Sequence, residues 1–121
     1  MVSLKRSKGK SIIFNSNEYI VHFLVKTILC RKIIDAGHVA ASEVVLHGLN
    51  GNKIVDCVDD TQKIAYEVER HATKEYIAKQ KKFMQDNFQA RSFVINLEEI
   101  PQEVIDSIMW LDNYLEGYID K

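Results

Sequence analysis

The sequence predicts a single α/β domain in which helices cover both faces of a mixed sheet. Apolar residues switch repeatedly between helical and strand spacing, turn clusters separate the segments, and 121 residues suffice for one hydrophobic core but not two. The expected element order is α-β-β-β-α-β-α, with no internal repeat.

The first helix is expected over about residues 16–34. Asn15 followed by Glu18 is compatible with a capping-box start, and Ile20, Phe23, Leu24, Ile28 and Leu29 follow at helical spacing before Gly37. Val39 to His47 reads as a first strand, closed by the turn cluster Gly48-Leu-Asn-Gly51. Lys53 to Asp59 and Lys63 to Arg70 read as a strand hairpin. Thr73 is suited to cap a helix running to about Phe88, with Tyr76, Ile77, Phe83, Met84 and Phe88 on one side. Arg91 to Leu97 is a fourth strand. Pro101 opens a terminal helix whose apolar stripe includes Val104, Ile105, Ile108, Leu111, Leu115 and Tyr118.

Composition narrows the class. With 46% apolar and 27% charged residues, the chain matches an ordinary globular protein, and the basic stretch over residues 1–10 is expected to be a flexible lead-in. Cys30 and Cys57 lie in apolar segments with no Cys or His at metal-ligand spacing, which predicts buried thiols in a reducing compartment. The apolar stretch Tyr19 to Leu29, broken by His22, Lys26 and Thr27, is far shorter than the roughly 20 residues of a membrane span. A cytoplasmic protein without a membrane partner is expected. Charge is uneven: residues 1–91 carry 15 Lys/Arg against 10 Asp/Glu (+5), and residues 92–121 carry 1 against 7 (−6). A basic body suits a phosphate-bearing partner.

The hairpin holds the most chemistry. Alternation puts Glu67 and Glu69 on one face. With an even loop such as Asp60-Thr61, Asp56 pairs with Ala65 and lies diagonal to Glu67, roughly 7–8 Å away between Cα atoms, a gap that long side chains bridge. One face then carries Asp56, Glu67 and Glu69 with Ile54, Val58 and Ala65, and the other carries Val55, Cys57, Ile64 and Tyr66. Carboxylates among apolar neighbours need compensation, and a divalent cation supplies it.

Ile54-Val-Asp56 followed after ten residues by Glu67-Val68-Glu69, within this element order, resembles the active-site signature of the PD-(D/E)xK nuclease superfamily. That group includes restriction endonucleases, archaeal Holliday junction resolvases and RecB-like nucleases. The resemblance implies a restriction endonuclease-like fold and a metal-dependent endonuclease that hydrolyses DNA phosphodiesters, with Mg²⁺ or Mn²⁺ as cofactor. Asp56 and Glu67 would be metal ligands, joined by Glu18 from the first helix. Glu69 stands where the family usually has Lys, and Lys74 or Lys79 would then supply the positive charge. Gln80, with Phe83 three residues on, is similar to the Gln and aromatic on the RecB-like helix, where the spacing is one residue longer.

In this reading Asp56, Glu67, Glu69, Lys74 and Lys79 form the catalytic set, and Lys74, Lys79, Gln80, Lys81, Lys82 and His71 meet DNA. No base-reading motif is present, so recognition by DNA shape is expected. The bulky apolar residues around the terminal helix, including Met109, Trp110 and Tyr114, predict a homodimer. A nuclease-fold protein that binds nucleic acid or protein without catalysis is the alternative, and Glu69 is its main support.

Overall fold

A computed structural model describes residues 19–119. Among these, the elements run α1 (Ile20–Asp35), β1 (Ala40–Gly48), β2 (Gly51–Asp59), β3 (Ile64–Glu69), α2 (Lys74–Phe88), β4 (Arg91–Asn96), a 3-10 turn (Leu97–Glu99) and α3 (Gln102–Glu116). The α/β class and element order are those the sequence predicts. No helix among the described residues is long and apolar enough to cross a membrane. The basic stretch over residues 1–10, the Asn15–Glu18 cap and Glu18 itself lie outside the described residues.

The sheet order is β1-β2-β3-β4. β1, β2 and β3 are joined by antiparallel hairpins, whereas β3 and β4 are parallel because α2 carries the chain back across the sheet. α1 and α3 lie on one face. There Cys30, Ile33, Ala40 and Cys57 form one cluster, and Val21, Val68 and Leu97 form another with Ile105, Ile108 and Met109. α2 covers the opposite face, where Met84 and Phe88 meet Val44, Val55, Val58 and Ala65. Cys30 and Cys57 are free, buried thiols whose sulfurs meet at 2.8 Å across the α1–β2 contact.

Local chemistry fixes the ends. Thr73 caps α2 by accepting the Tyr76 N–H at 3.1 Å, and Gln89 ends that helix at φ 53°. Pro101 serves as the N-cap of α3, one residue before the helix starts. Gly48 and Gly51 close the β1–β2 hairpin, and the ring of Phe88 sits where a Gly48 side chain would stand.

Two departures from regular strand geometry position the cleft. In the β1–β2 ladder, Ser42 pairs with Cys57 and Val44 with Val55, leaving Glu43 and Asp56 unpaired, with Glu43 at φ 51°. Both strands roll over at that point. Ala40 and Cys57 pack toward α1, whereas Val44 and Val55, an even number of residues away, pack toward α2. Val55 was expected to share a face with Cys57, and the roll-over is why it does not.

The second departure lies between β2 and β3. Their loop is Asp60-Thr61-Gln62-Lys63, and pairing runs Asp59 with Ile64, Val58 with Ala65 and Cys57 with Tyr66. The expected register, with Asp56 opposite Ala65, is therefore shifted by two residues. A shift of two preserves the faces of side chains. The ladder then stops at Cys57 and Tyr66 although β2 extends back to Gly51 and β3 on to Glu69, so the strands diverge as a fork.

Candidate functional site

A cleft of about 570 Å³ opens in this fork, lined by Lys53, Ile54 and Asp56 from β2, Glu67 to Glu69 from β3, then Arg70 and His71, with His22 from α1. The structure thus gathers Asp56, Glu67 and Glu69 at one opening. They arrive from different directions. Asp56 stands at the roll-over point, where its Oδ2 accepts the Val68 N–H at 2.7 Å and its Oδ1 lies 3.4 Å from His22 Nε2. That side-chain bond ties β2 to β3 just beyond the point where their ladder ends. One turn further along α1, the fully buried Lys26 ammonium reaches Glu43 Oε1 at 3.0 Å. His22 and Lys26 therefore address the two residues at which β1 and β2 roll over.

Glu67 and Glu69 follow alternation and face the α2 side. Glu67 is 4% exposed. Its Oε1 lies 3.1 Å from Lys53 Nζ, and its Oε2 is buried without a hydrogen-bond partner among the described residues. Burial pushes its carboxyl above the ordinary glutamate range; Lys53 pulls it down through its hydrogen bond and charge, and Glu69 and Asp56 push it up. Glu69 Oε1 accepts from the Tyr76 hydroxyl at 3.1 Å. Burial, followed by the Glu69 and Glu67 charges, raises the Tyr76 phenol to about 12.

The expected cations are elsewhere. Lys74 and Lys79 are exposed on α2 and do not line the cleft. Lys81 and Lys82 line a separate groove of about 590 Å³ between α2 and β4, where Lys82 pairs with Asp86 at 2.8 Å. His71 lines the cleft, and its Nδ1 bonds Glu98. Arg70, beside it, lies over the Tyr19 ring at 4.3 Å. Gln80 is buried beneath the sheet, its Nε2 without a hydrogen-bond partner among the described residues.

Sequence reasoning missed Lys53 and His22. Regular alternation puts Lys53 and Asp56 on opposite faces, and the roll-over at Asp56 defeats that rule. For His22 a signal existed, since His22 and Lys26 are one turn apart on an otherwise apolar helix and thus share a face.

The donor set can be tested against a divalent cation. No group of three or more His, Cys, Asp or Glu side chains converges to hold an ion among the described residues. Mg²⁺ commonly takes only one or two carboxylates and completes its shell with water and substrate phosphate. Asp56 and Glu67 offer such a pair, and the buried, unpartnered Glu67 Oε2 is the oxygen most in need of a cation. No protein-family model, curated protein or solved structure matches this chain.

Proposed function

We propose that the β2–β3 fork is the site of a divalent-metal-dependent endonuclease acting on DNA phosphodiesters. The observation that carries this reading is Glu67, a carboxylate held on one oxygen by Lys53, with the other oxygen buried and unpartnered among the described residues, in a cleft lined also by Asp56 and Glu69. Like charges gathered in a partly buried cleft raise one another's proton affinity unless a cation joins them. The PD-(D/E)xK pattern points to the same residues.

Asp56 and Glu67 would hold Mg²⁺ or Mn²⁺, with Glu18 a further candidate outside the described residues. When bound, the ion polarises the scissile phosphate and lowers the pKa of coordinated water. Lys53 opposes the upward push of burial on Glu67 and brings an ammonium to the cleft for the phosphate, the part expected of Lys74 or Lys79. Tyr76 holds Glu69 by one oxygen, and Glu69 is the cleft carboxylate that would accept the proton of the attacking water. Arg70 and His71, at the mouth, meet the flanking phosphates. Contacts to phosphate alone imply recognition by shape and affinity that falls steeply with salt.

The test is incubation with branched, single-stranded and linear duplex DNA in Mg²⁺, Mn²⁺ or EDTA. Cleavage should require the metal and vanish in Asp56→Ala and Glu67→Ala. Cleavage retained in both variants contradicts the assignment. DNA binding without metal-dependent cleavage assigns the fork instead to a non-catalytic nuclease-fold binder, a reading favoured by the engagement of Asp56 Oδ2 with the Val68 N–H.

A further inference from the structure

Along one face of α1 three side chains reach the sheet at four-residue spacing. His22 lies 3.4 Å from Asp56, Lys26 reaches Glu43 at 3.0 Å, and Cys30 meets Cys57 at 2.8 Å between sulfurs. Both thiols are buried, and the chain has no other cysteine. Leu29, Ile33, Ile34, Ala40 and Tyr66 surround them, and no third metal-ligating side chain converges on them among the described residues. A buried cysteine packs as a small hydrophobe and needs no second thiol facing it. The meeting of both sulfurs across the α1–β2 contact is therefore the observation to explain.

We propose that Cys30 and Cys57 form a reversible disulfide, closed by a small peroxide and opened by thiols, that fastens α1 to β2 beside Asp56. The sulfurs need only a short approach to reach the roughly 2.0 Å of an S–S bond. The two residues are 27 apart in sequence, so the bond ties down a long loop that holds the end of α1, all of β1 and most of β2. Burial selects the oxidant, because hydrogen peroxide is little larger than water whereas a bulky disulfide cannot reach enclosed sulfurs. Cys30 is the attacking group: its hydrogen bond with Cys57 holds its thiol below the ordinary range despite burial, and the Lys26 charge assists. Its thiolate attacks one peroxide oxygen, the O–O bond breaks, and the other oxygen leaves as water, giving a sulfenic acid. The Cys57 sulfur then attacks that sulfur, the S–O bond breaks, and the oxygen departs as a second water. The two cysteines together lose two electrons and two protons, and the peroxide takes them up. Because His22 projects from the same face of α1 and Asp56 precedes Cys57, the bond also holds the His22–Asp56 contact in place. Its formation does not depend on what the fork binds.

The experiment treats the reduced full chain with hydrogen peroxide in native buffer, then unfolds it in an alkylating reagent. Intact mass, peptide mapping and non-reducing electrophoresis give the product. The expected result is a single chain that has lost two hydrogens, takes up no alkyl group, yields a linked Cys30–Cys57 peptide and becomes alkylatable again after dithiothreitol. Its thermal midpoint should lie roughly 10 °C above that of the reduced chain. Cys30→Ser and Cys57→Ser, each compared with itself before and after peroxide so that any cost of the substitution cancels, should show no such rise. Free thiols after peroxide, a disulfide between two chains, or sulfinic acid without a disulfide overturns the proposal. So does an internal disulfide that leaves the midpoint unchanged or lowers it, because the folded chain would then not hold the two sulfurs in place for the bond.

Discussion

Lys53 and Glu67 meet at 3.1 Å although their strands are no longer paired at that level, and the other oxygen of Glu67 is buried without a partner among the described residues. The Lys53 side chain is about one-quarter exposed and that of Glu67 nearly enclosed, so the pair is asymmetric. Removing its two members should have opposite consequences. Lys53→Met leaves a buried carboxylate without its cation and is expected to lower stability by about 1–3 kcal/mol, with solvent access to Lys53 limiting the loss. Glu67→Gln keeps the shape, removes the charge, and should leave stability within about 1 kcal/mol of the parent or raise it. Urea unfolding near neutral pH reads both. A Lys53→Met chain as stable as the parent would show that the pair is not coupled.

The pH dependence of stability separates Glu67 from Asp59. Glu67 is raised by burial, so between the ordinary glutamate value and the raised one the folded chain holds a proton that the unfolded chain has released. Stability therefore falls as pH rises through that window. At Asp59 burial also pushes upward, but the Gln62 N–H, the His38 imidazole 2.8 Å away and the Thr61 N–H outweigh it and hold the carboxyl below the ordinary range. Its stabilisation is present above the ordinary aspartate value and lost as pH falls through the lowered one. Unfolding midpoints across pH should show that Glu67→Gln flattens the decline above the ordinary glutamate range and Asp59→Asn flattens the acid limb. Parallel curves for parent and variant would contradict either assignment.

How far the sequence foretold this arrangement can be judged at the same residues. The Asn and Gly turns, the Thr73 cap and the apolar periods are local signals, and they yield the element order and the α2 boundaries. Glu67 and Glu69 stand together because β3 alternates regularly. Asp56 depends on two non-local features: the four-residue loop, which shifts the register while keeping its parity, and the roll-over shared with Glu43. No residue pattern marks that roll-over, since Glu43 adopts φ 51° without being glycine. Lys53 reaches Glu67 only through it, and for that reason lysines on α2 were expected in its place. The exposed apolar side of α3, by contrast, was legible as an excess of bulky apolar residues around one helix.

Packing at the far end of β1 gives an independent check of the fold. A Cβ on Gly48 would lie 2.5 Å from Phe88 Cε1, so Gly48→Ala must displace the ring that closes the α2 side of the core. A loss of about 1–3 kcal/mol is expected. Gly37, at φ +85° with nothing within 4 Å of a Cβ, isolates the backbone contribution, and Gly37→Ala should cost about 1–2 kcal/mol. If Phe88→Leu restores the stability of Gly48→Ala, the contact is confirmed. A silent Gly48→Ala would contradict the packing of Phe88 against Gly48.

A divalent cation held by Asp56 and Glu67 in the β2–β3 fork, as proposed, is tested most directly by Mn²⁺ binding followed by electron paramagnetic resonance. The parent chain should bind Mn²⁺ in competition with Mg²⁺, and Asp56→Asn and Glu67→Gln should each abolish that binding while the fold, read by circular dichroism, stays intact. Equal binding by the parent and both variants, or no binding by the parent, would contradict it.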